Sequence, residues 1–233
     1  MVQSALDRAP GEGALIVFGA LRPPRASALR CPLCGVEDAE EHLRQGGRRF
    51  LRCPTCDLLF LDPVQRLGPA DERARYQTHE NHPEDPRYRA FLRRLADPLL
   101  ERLAPGSVGL DYGSGPGPTL SRILTEAGHP TRDYDPFFTA DPSVLDREYD
   151  FVTCSETAEH FFDPAGEFRR IDGLIAPGGW FGLMTGIVRP GLDLASWWYL
   201  RDPTHVAFYS PAALKWIARD RSWSVQLESE NVT

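Results

Sequence analysis

Val108-Gly-Leu-Asp-Tyr-Gly-Ser-Gly-Pro-Gly117 runs a short apolar segment straight into a loop holding three glycines. The first half reads as a buried strand. The second half reads as a backbone that turns sharply and lets a ligand approach closely, which glycine permits. Leu120, Ile123 and Leu124 follow at helical spacing, and Gly128-His-Pro130 stops that helix. Residues 131–134 read as a second strand ending at Asp135-Pro136, and Tyr149-Asp-Phe-Val-Thr-Cys154 as a third. A helix from Glu167 to Ile175, a Pro177-Gly178-Gly179 turn and a strand from Trp180 to Met184 come next. Upstream, Phe91, Leu92, Leu95, Leu99, Leu100 and Leu103 mark a helix that ends at Pro105-Gly106. Strands alternating with helices predict a parallel sheet covered on both faces.

The glycine spacing separates two kinds of nucleotide fold. A dinucleotide fingerprint, G-x-G-x-x-G, needs glycine where Pro118 stands. The pattern here is Asp111-x-Gly113-x-Gly115-x-Gly117, with the acid inside the strand. This resembles the first motif of class I S-adenosylmethionine-dependent methyltransferases. Glu159-His160-Phe-Phe-Asp163-Pro164, Leu174-Ile-Ala-Pro-Gly-Gly179 and Asp202-Pro-Thr-His-Val-Ala-Phe-Tyr209 are similar to later segments of one subgroup. The resemblance covers about residues 72–229. It implies an α/β, Rossmann-like doubly wound sheet, mostly parallel with an antiparallel last strand, and methyl transfer from S-adenosylmethionine. It also implies a cofactor site of Asp111, Gly113, Ser114, Gly115, Gly117, Asp135, Pro136, Ser155 and Glu156. Asp135 would take the ribose hydroxyls and Glu156 the ammonium. One departure is plain. Between Asp135 and Asp150 there are too few residues for the helix and strand usual in the family.

Four of the five cysteines form two tight pairs, Cys31-Pro-Leu-Cys34 and Cys53-Pro-Thr-Cys56, with 18 residues between them. A Cys-x-x-Cys turn aims two thiolates at one centre, and two such turns complete a tetrahedron. The pattern resembles a zinc ribbon with a structural zinc ion on Cys31, Cys34, Cys53 and Cys56. Its six Arg and six Asp or Glu over residues 30–70 balance, although Arg44, Arg48, Arg49 and Arg52 could form a local basic face. The fifth cysteine, Cys154, is expected at a buried strand end.

The chain is then expected to divide into a loose leader at 1–29 with one short strand at 16–18, a zinc ribbon at 30–70 and a methyltransferase domain at 71–233. Residues 64–86 read as a linker or irregular lid. The formal net charge of −7 over 233 residues, with Lys215 as the only lysine, makes nucleic acid an unlikely partner and favours a small-molecule acceptor. No stretch approaches the ~18–20 apolar residues of a membrane span, and residues 1–20 lack the pattern of a signal peptide, so a cytoplasmic location is expected. The oligomeric state is open. For proton removal from an acceptor, His205 in its Asp-Pro-Thr-His run is the first candidate catalytic residue and His160 the second. Tyr76, His79 and His82 precede the first domain helix, where this fold often covers its cofactor. Trp197, Trp198, Tyr199 and Tyr209 are expected to wall the acceptor cavity.

Overall fold

The computed structural model describes residues 29–78 and 82–226. The expected leader up to residue 28, His79, and the antiparallel last strand expected near residue 231 lie outside these. In chain order the elements begin with β1 (Glu40–Gln45), β2 (Arg48–Arg52), β3 (Leu59–Leu61), α1 (Pro69–Tyr76), α2 (Pro86–Leu100) and β4 (Gly109–Tyr112). They continue with α3 (Thr119–Glu126), β5 (Thr131–Tyr134), β6 (Tyr149–Ser155), α4 (Pro164–Asp172), β7 (Ile175–Met184), β8 (Ala207–Phe208) and α5 (Pro211–Arg221).

The central sheet has the order β5-β4-β6-β7, and every pairing within it is parallel. Among the described residues it therefore holds no antiparallel strand. Alternation along β6 sorts the core. Phe151 joins Leu92, Leu95, Ala96 and Leu99 of α2 and Leu120, Ile123 and Leu124 of α3 on one face. Val152 and Cys154 join Phe168 and Ile171 of α4 and Ala213, Leu214 and Ile217 of α5 on the other. Caps fix the helix starts. Asp85, Asp163 and Ser210 each accept a backbone N–H from the first turn, and a proline follows each. From β5 to β6 there is only a 3-10 turn at Pro142–Leu145, in keeping with the short spacing seen in the sequence. Because β4 neighbours both β5 and β6, the chain reverses its winding between β4 and β6. Their carboxyl ends form the crevice in which open α/β sheets bind ligands.

The segment at 64–86, expected as irregular, contains α1. Pro69 starts it, Asp71 and Glu72 lie in its first turn and Arg73 and Arg75 in its last, an order that suits the helix dipole. Tertiary contacts supply the rest: Arg75 is ion-paired with Asp202 at 2.6 Å, and Tyr76 packs edge-on against Phe137 and His160.

The cysteine segment is built into the rest of the protein. Strands β1, β2 and β3 form an antiparallel sheet whose fourth member is β8, through Leu59–Phe208 and Phe60–Ala207. Both faces of β3 are packed. Phe60 shares a core with Tyr209 and Ala213, while Leu59 and Leu61 share another with Tyr199, Leu200 and Phe208. Arg48 donates to the carbonyls of Leu200 and Asp202 at 2.8 Å and of His205 at 2.7 Å.

Candidate functional site

A cavity of about 300 Å³ opens at the carboxyl ends of β4 and β6, at the small end of the ligand-pocket range. Asp111, Gly113, Ser114, Gly117, Ser155 and Glu156 line its cofactor side, and Glu159, His160, Trp198, Tyr199, Asp202 and His205 line the other. A larger cavity of about 520 Å³ lies beside β7, against Leu95, Trp180 and Trp223. It contains neither the glycine loop nor a histidine, so the chemistry belongs to the smaller one.

The loop geometry follows from its glycines. Gly113 has φ +82° and Gly115 φ +65°, in the left-handed region. The amides of Gly113 and Ser114 both donate to the Tyr134 carbonyl, at 2.7 and 3.1 Å, so β5 sets the loop's height. Thr157 Oγ1 donates to the Gly113 carbonyl at 3.0 Å, tying the loop to the end of β6. Asp135 is buried. Its Oδ2 accepts from the Gly115 amide at 3.0 Å and its Oδ1 from Phe137 and Phe138 at 2.8 and 3.1 Å. The structure thus places Asp135 as a clamp on the glycine loop. Neither it nor Gly115 nor the exposed Pro136 is among the residues lining the cavity. Two buried hydroxyls there, Ser114 Oγ and Ser155 Oγ, have no hydrogen-bond partner, as expected of polar groups awaiting a polar ligand.

Two buried acids, Asp111 and Glu159, and the half-buried Glu156 share the cavity. Burial pushes Asp111 up to about 7, opposed by the hydrogen bond from Thr153 Oγ1 at 2.8 Å. Burial likewise pushes Glu156 and Glu159 up to about 7. Asp202 goes the other way: burial opposes its charge, but Arg75 and Thr204 hold it well below the usual carboxylate range. A buried carboxyl whose folded pKa is raised keeps its proton in the folded state over a range where the unfolded chain has lost it. Its contribution is therefore greatest below the unfolded value near ~4 and is lost as pH rises towards about 7. Asp111→Asn is expected to be more stable than the parent at pH 8, by roughly 1–3 kcal/mol, and to match it more closely near pH 4. Urea melts across that range check this; parallel curves for parent and variant would refute it.

His160 and His205 come together with ring centroids 4.8 Å apart. His160 Nδ1 lies 3.1 Å from the Thr204 carbonyl and His205 Nδ1 2.8 Å from the Tyr199 carbonyl. Burial pushes His160 down to about 4. Trp198 and Tyr199 line the cavity, whereas Tyr209 is fully buried, donating from its hydroxyl to the Ala158 carbonyl, and Trp197 packs on Tyr199 and Phe208. Cys154 is fully buried and its thiol is pushed up by burial. The residues that sequence reasoning passed over are Glu159 and Thr185. Glu159 is fully buried at the cavity edge and accepts from Tyr199 Oη at 2.5 Å and Thr185 Oγ1 at 2.9 Å. The local signals for Glu159 are its place at the head of the Glu159-His160-Phe-Phe-Asp163-Pro164 segment and its spacing from Glu156 across one tight turn.

The four sulfurs of Cys31, Cys34, Cys53 and Cys56 lie within 4.8 Å of one another. Both knuckles close alike: the Gly35 amide donates to the Cys31 carbonyl and the Asp57 amide to that of Cys53, both at 2.9 Å. The hydrogen bond from Cys56 pulls Cys31 down to about 5, while Cys56 is pushed far up in return and burial raises Cys34 to about 11.

A family model described as a methyltransferase domain matches residues 84–227. The chain belongs to the methyltransferase-domain family. It is a methyltransferase. Solved structures similar to this methyltransferase include the Haloferax volcanii complex containing the Trm112 methyltransferase activator. That match has 17% identity and a TM-score of 0.48, over 65% of this chain and 75% of that one. Burkholderia thailandensis 1,6-didemethyltoxoflavin-N1-methyltransferase matches at 16% identity and a TM-score of 0.46, over 78% and 88%. The YcgJ protein of Bacillus subtilis matches at 19% identity and a TM-score of 0.39, over 55% and 67%. No curated protein matches the sequence. Among the described residues, no helix of the methyltransferase is long and apolar enough to cross a membrane.

Proposed function

We propose that this methyltransferase transfers a methyl group to an oxygen or nitrogen of a small-molecule acceptor, with one structural zinc ion on Cys31, Cys34, Cys53 and Cys56. The observation that carries the acceptor reading is the cavity itself. Its far side is small, walled by Trp198 and Tyr199, and floored by buried polar groups. A side of that size takes a small ring or chain. The arginines of the ribbon support the same reading. Arg44 and Arg49 are paired with Glu41, Arg49 also with Asp62, and Arg52 with Asp57. Arg48 is spent on three carbonyls. A basic face ready for a polyanion is not left over.

S-adenosylmethionine, when bound, supplies a methyl group already activated by its sulfonium, so the protein's work is positioning. Gly113, Ser114, Gly117 and Ser155 would hold it, with Asp111 and Glu156 as counter-charges to its cationic groups. Asp135 would act on the cofactor through the loop it clamps. Tyr199 and Trp198 would orient the acceptor, and its proton would leave towards the cluster of His160, His205 and Glu159. Calorimetry with S-adenosylhomocysteine tests the cofactor half. Asp135→Ala should weaken binding by roughly 10–100-fold, the worth of lost charge-assisted bonds to the loop. Unchanged affinity would remove Asp135 from the site.

A further inference from the structure

Glu159, His160 and His205 each offer one donor atom, and the three atoms lie within 4.8 Å of one another on the wall of the cavity. We infer that this cluster is a second metal site, distinct from the four cysteines, and that it holds a divalent cation with open positions facing the acceptor. The inference deepens the methyl-transfer reading and rests on it for its catalytic meaning only.

The first argument is the tautomer. Each imidazole has its Nδ1 at hydrogen-bond distance from a backbone carbonyl, Thr204 for His160 and Tyr199 for His205. A carbonyl accepts only, so each Nδ1 carries the proton and each Nε2 the lone pair. Metal-bound histidines are held this way, one nitrogen on the ion and the other N–H on a carbonyl or carboxylate. Two rings fixed alike stand with centroids 4.8 Å apart.

The second argument is the carboxylate. Glu159 is fully buried, and both its oxygens are oriented by hydroxyls, Tyr199 on Oε1 and Thr185 on Oε2. Glu156 lies beside it, its Oε2 3.2 Å from the same Tyr199 hydroxyl. Tyr199 has one proton for these two carboxylates. Two acids are thus gathered in one pocket with two hydroxyl protons for their four oxygens, an arrangement that a cation completes. Two imidazoles and a carboxylate with open positions suit manganese, iron, cobalt or zinc as divalent ions. The soft four-thiolate set of the ribbon prefers zinc. Ligands on one side of such an ion stand ~3.0–3.6 Å apart when bonds are ~2.1 Å, so a cluster whose atoms lie within 4.8 Å of one another closes by about 1 Å on binding.

The consequence favours an acceptor hydroxyl. Its oxygen would bind the cation at that cluster, and the cation's charge would acidify the hydroxyl so that its proton passes to water in the cavity. An oxygen lone pair then forms the C–O bond as the C–S bond breaks, and that bond's electrons return to sulfur, leaving the neutral thioether.

Manganese(II) titration followed by electron paramagnetic resonance tests the site in the full chain with its cysteines zinc-loaded. Manganese stands lowest in the divalent series and does not displace zinc from thiolates. The free-ion signal should fall by one equivalent per chain, and pulsed spectra should show nitrogen coupling from imidazole. His160→Ala and the isosteric Glu159→Gln should each weaken binding by about tenfold or more, while S-adenosylhomocysteine affinity stays within about threefold. Absence of manganese binding overturns the inference. So does binding that neither variant alters, or a bound ion without nitrogen coupling, the latter readable on the parent protein even if a variant fails to fold. Failure of S-adenosylhomocysteine to bind the parent would instead count against the cofactor reading and leave the metal result standing.

Discussion

Cys53→Ser, or removal of the ribbon's zinc by a chelator, is expected to destabilise the whole protein. Cys53 is fully exposed to neither solvent nor a loose module: it is 0% accessible and belongs to the same core as Phe60, Tyr209 and Ala213. Strand β3 is hydrogen-bonded to β8, and β8 lies between the His205 loop and α5. Structural zinc contributes folding free energy directly, on the order of 10 kcal/mol in small peptides. Loss of one ligand should cost at least ~3–5 kcal/mol here, a large share of the ~5–15 kcal/mol typical of a domain. The effect should also reach the site, because Arg48 on β2 holds the carbonyls of Leu200, Asp202 and His205. Hydrogen exchange should show deprotection of residues 199–209 along with residues 30–63, and S-adenosylhomocysteine affinity should fall. Deprotection confined to residues 30–63, with the melting temperature of the remainder unchanged, would show the ribbon to be an independent appendage.

Gly113→Ala should abolish cofactor binding while leaving the sheet folded. A Cβ at this position would lie 2.2 Å from Thr157 Cγ2, 2.5 Å from its Oγ1 and 2.8 Å from its Cβ, at φ +82°. The backbone conformation alone costs an alanine about 1–3 kcal/mol. The contact must then push Thr157 off the Gly113 carbonyl it bonds, or push the loop into the cavity. Either change displaces the loop that lines the cavity. Affinity for S-adenosylhomocysteine should drop by roughly 100-fold or more, with a stability loss of only ~1–3 kcal/mol. Adding Thr157→Ala removes the two nearest atoms and should recover part of the affinity. A single variant that binds normally would mean that the glycine loop does not form the cofactor's floor.

Much of this protein is legible one segment at a time. The strand and glycine loop at 108–117, the cysteine knuckles, the helix caps and the shortened passage from Asp135 to Asp150 depend on neighbours a few residues away. Turn chemistry and periodicity therefore specify them locally. Helix α1 shows the limit of that reading. Its eight residues have little apolar periodicity, and its place is set by the Arg75–Asp202 pair and the Tyr76 contacts with Phe137 and His160.

The sequence by itself determined the alternation of strands and helices, the pairing of the four cysteines into two knuckles and the family to which the catalytic half is similar. Only the tertiary structure decided that β3 finds its partner in β8, more than a hundred residues later, tying the cysteine segment to the strand before α5. It also turned Asp135 into the clamp of the Gly115 amide, and it set Glu159, His160 and His205 around one point. The reason is physical: a strand edge, a carboxylate or an imidazole is chemically competent for several partners. Which one it meets depends on chain closure and burial across long sequence separations, and local propensity carries no record of either.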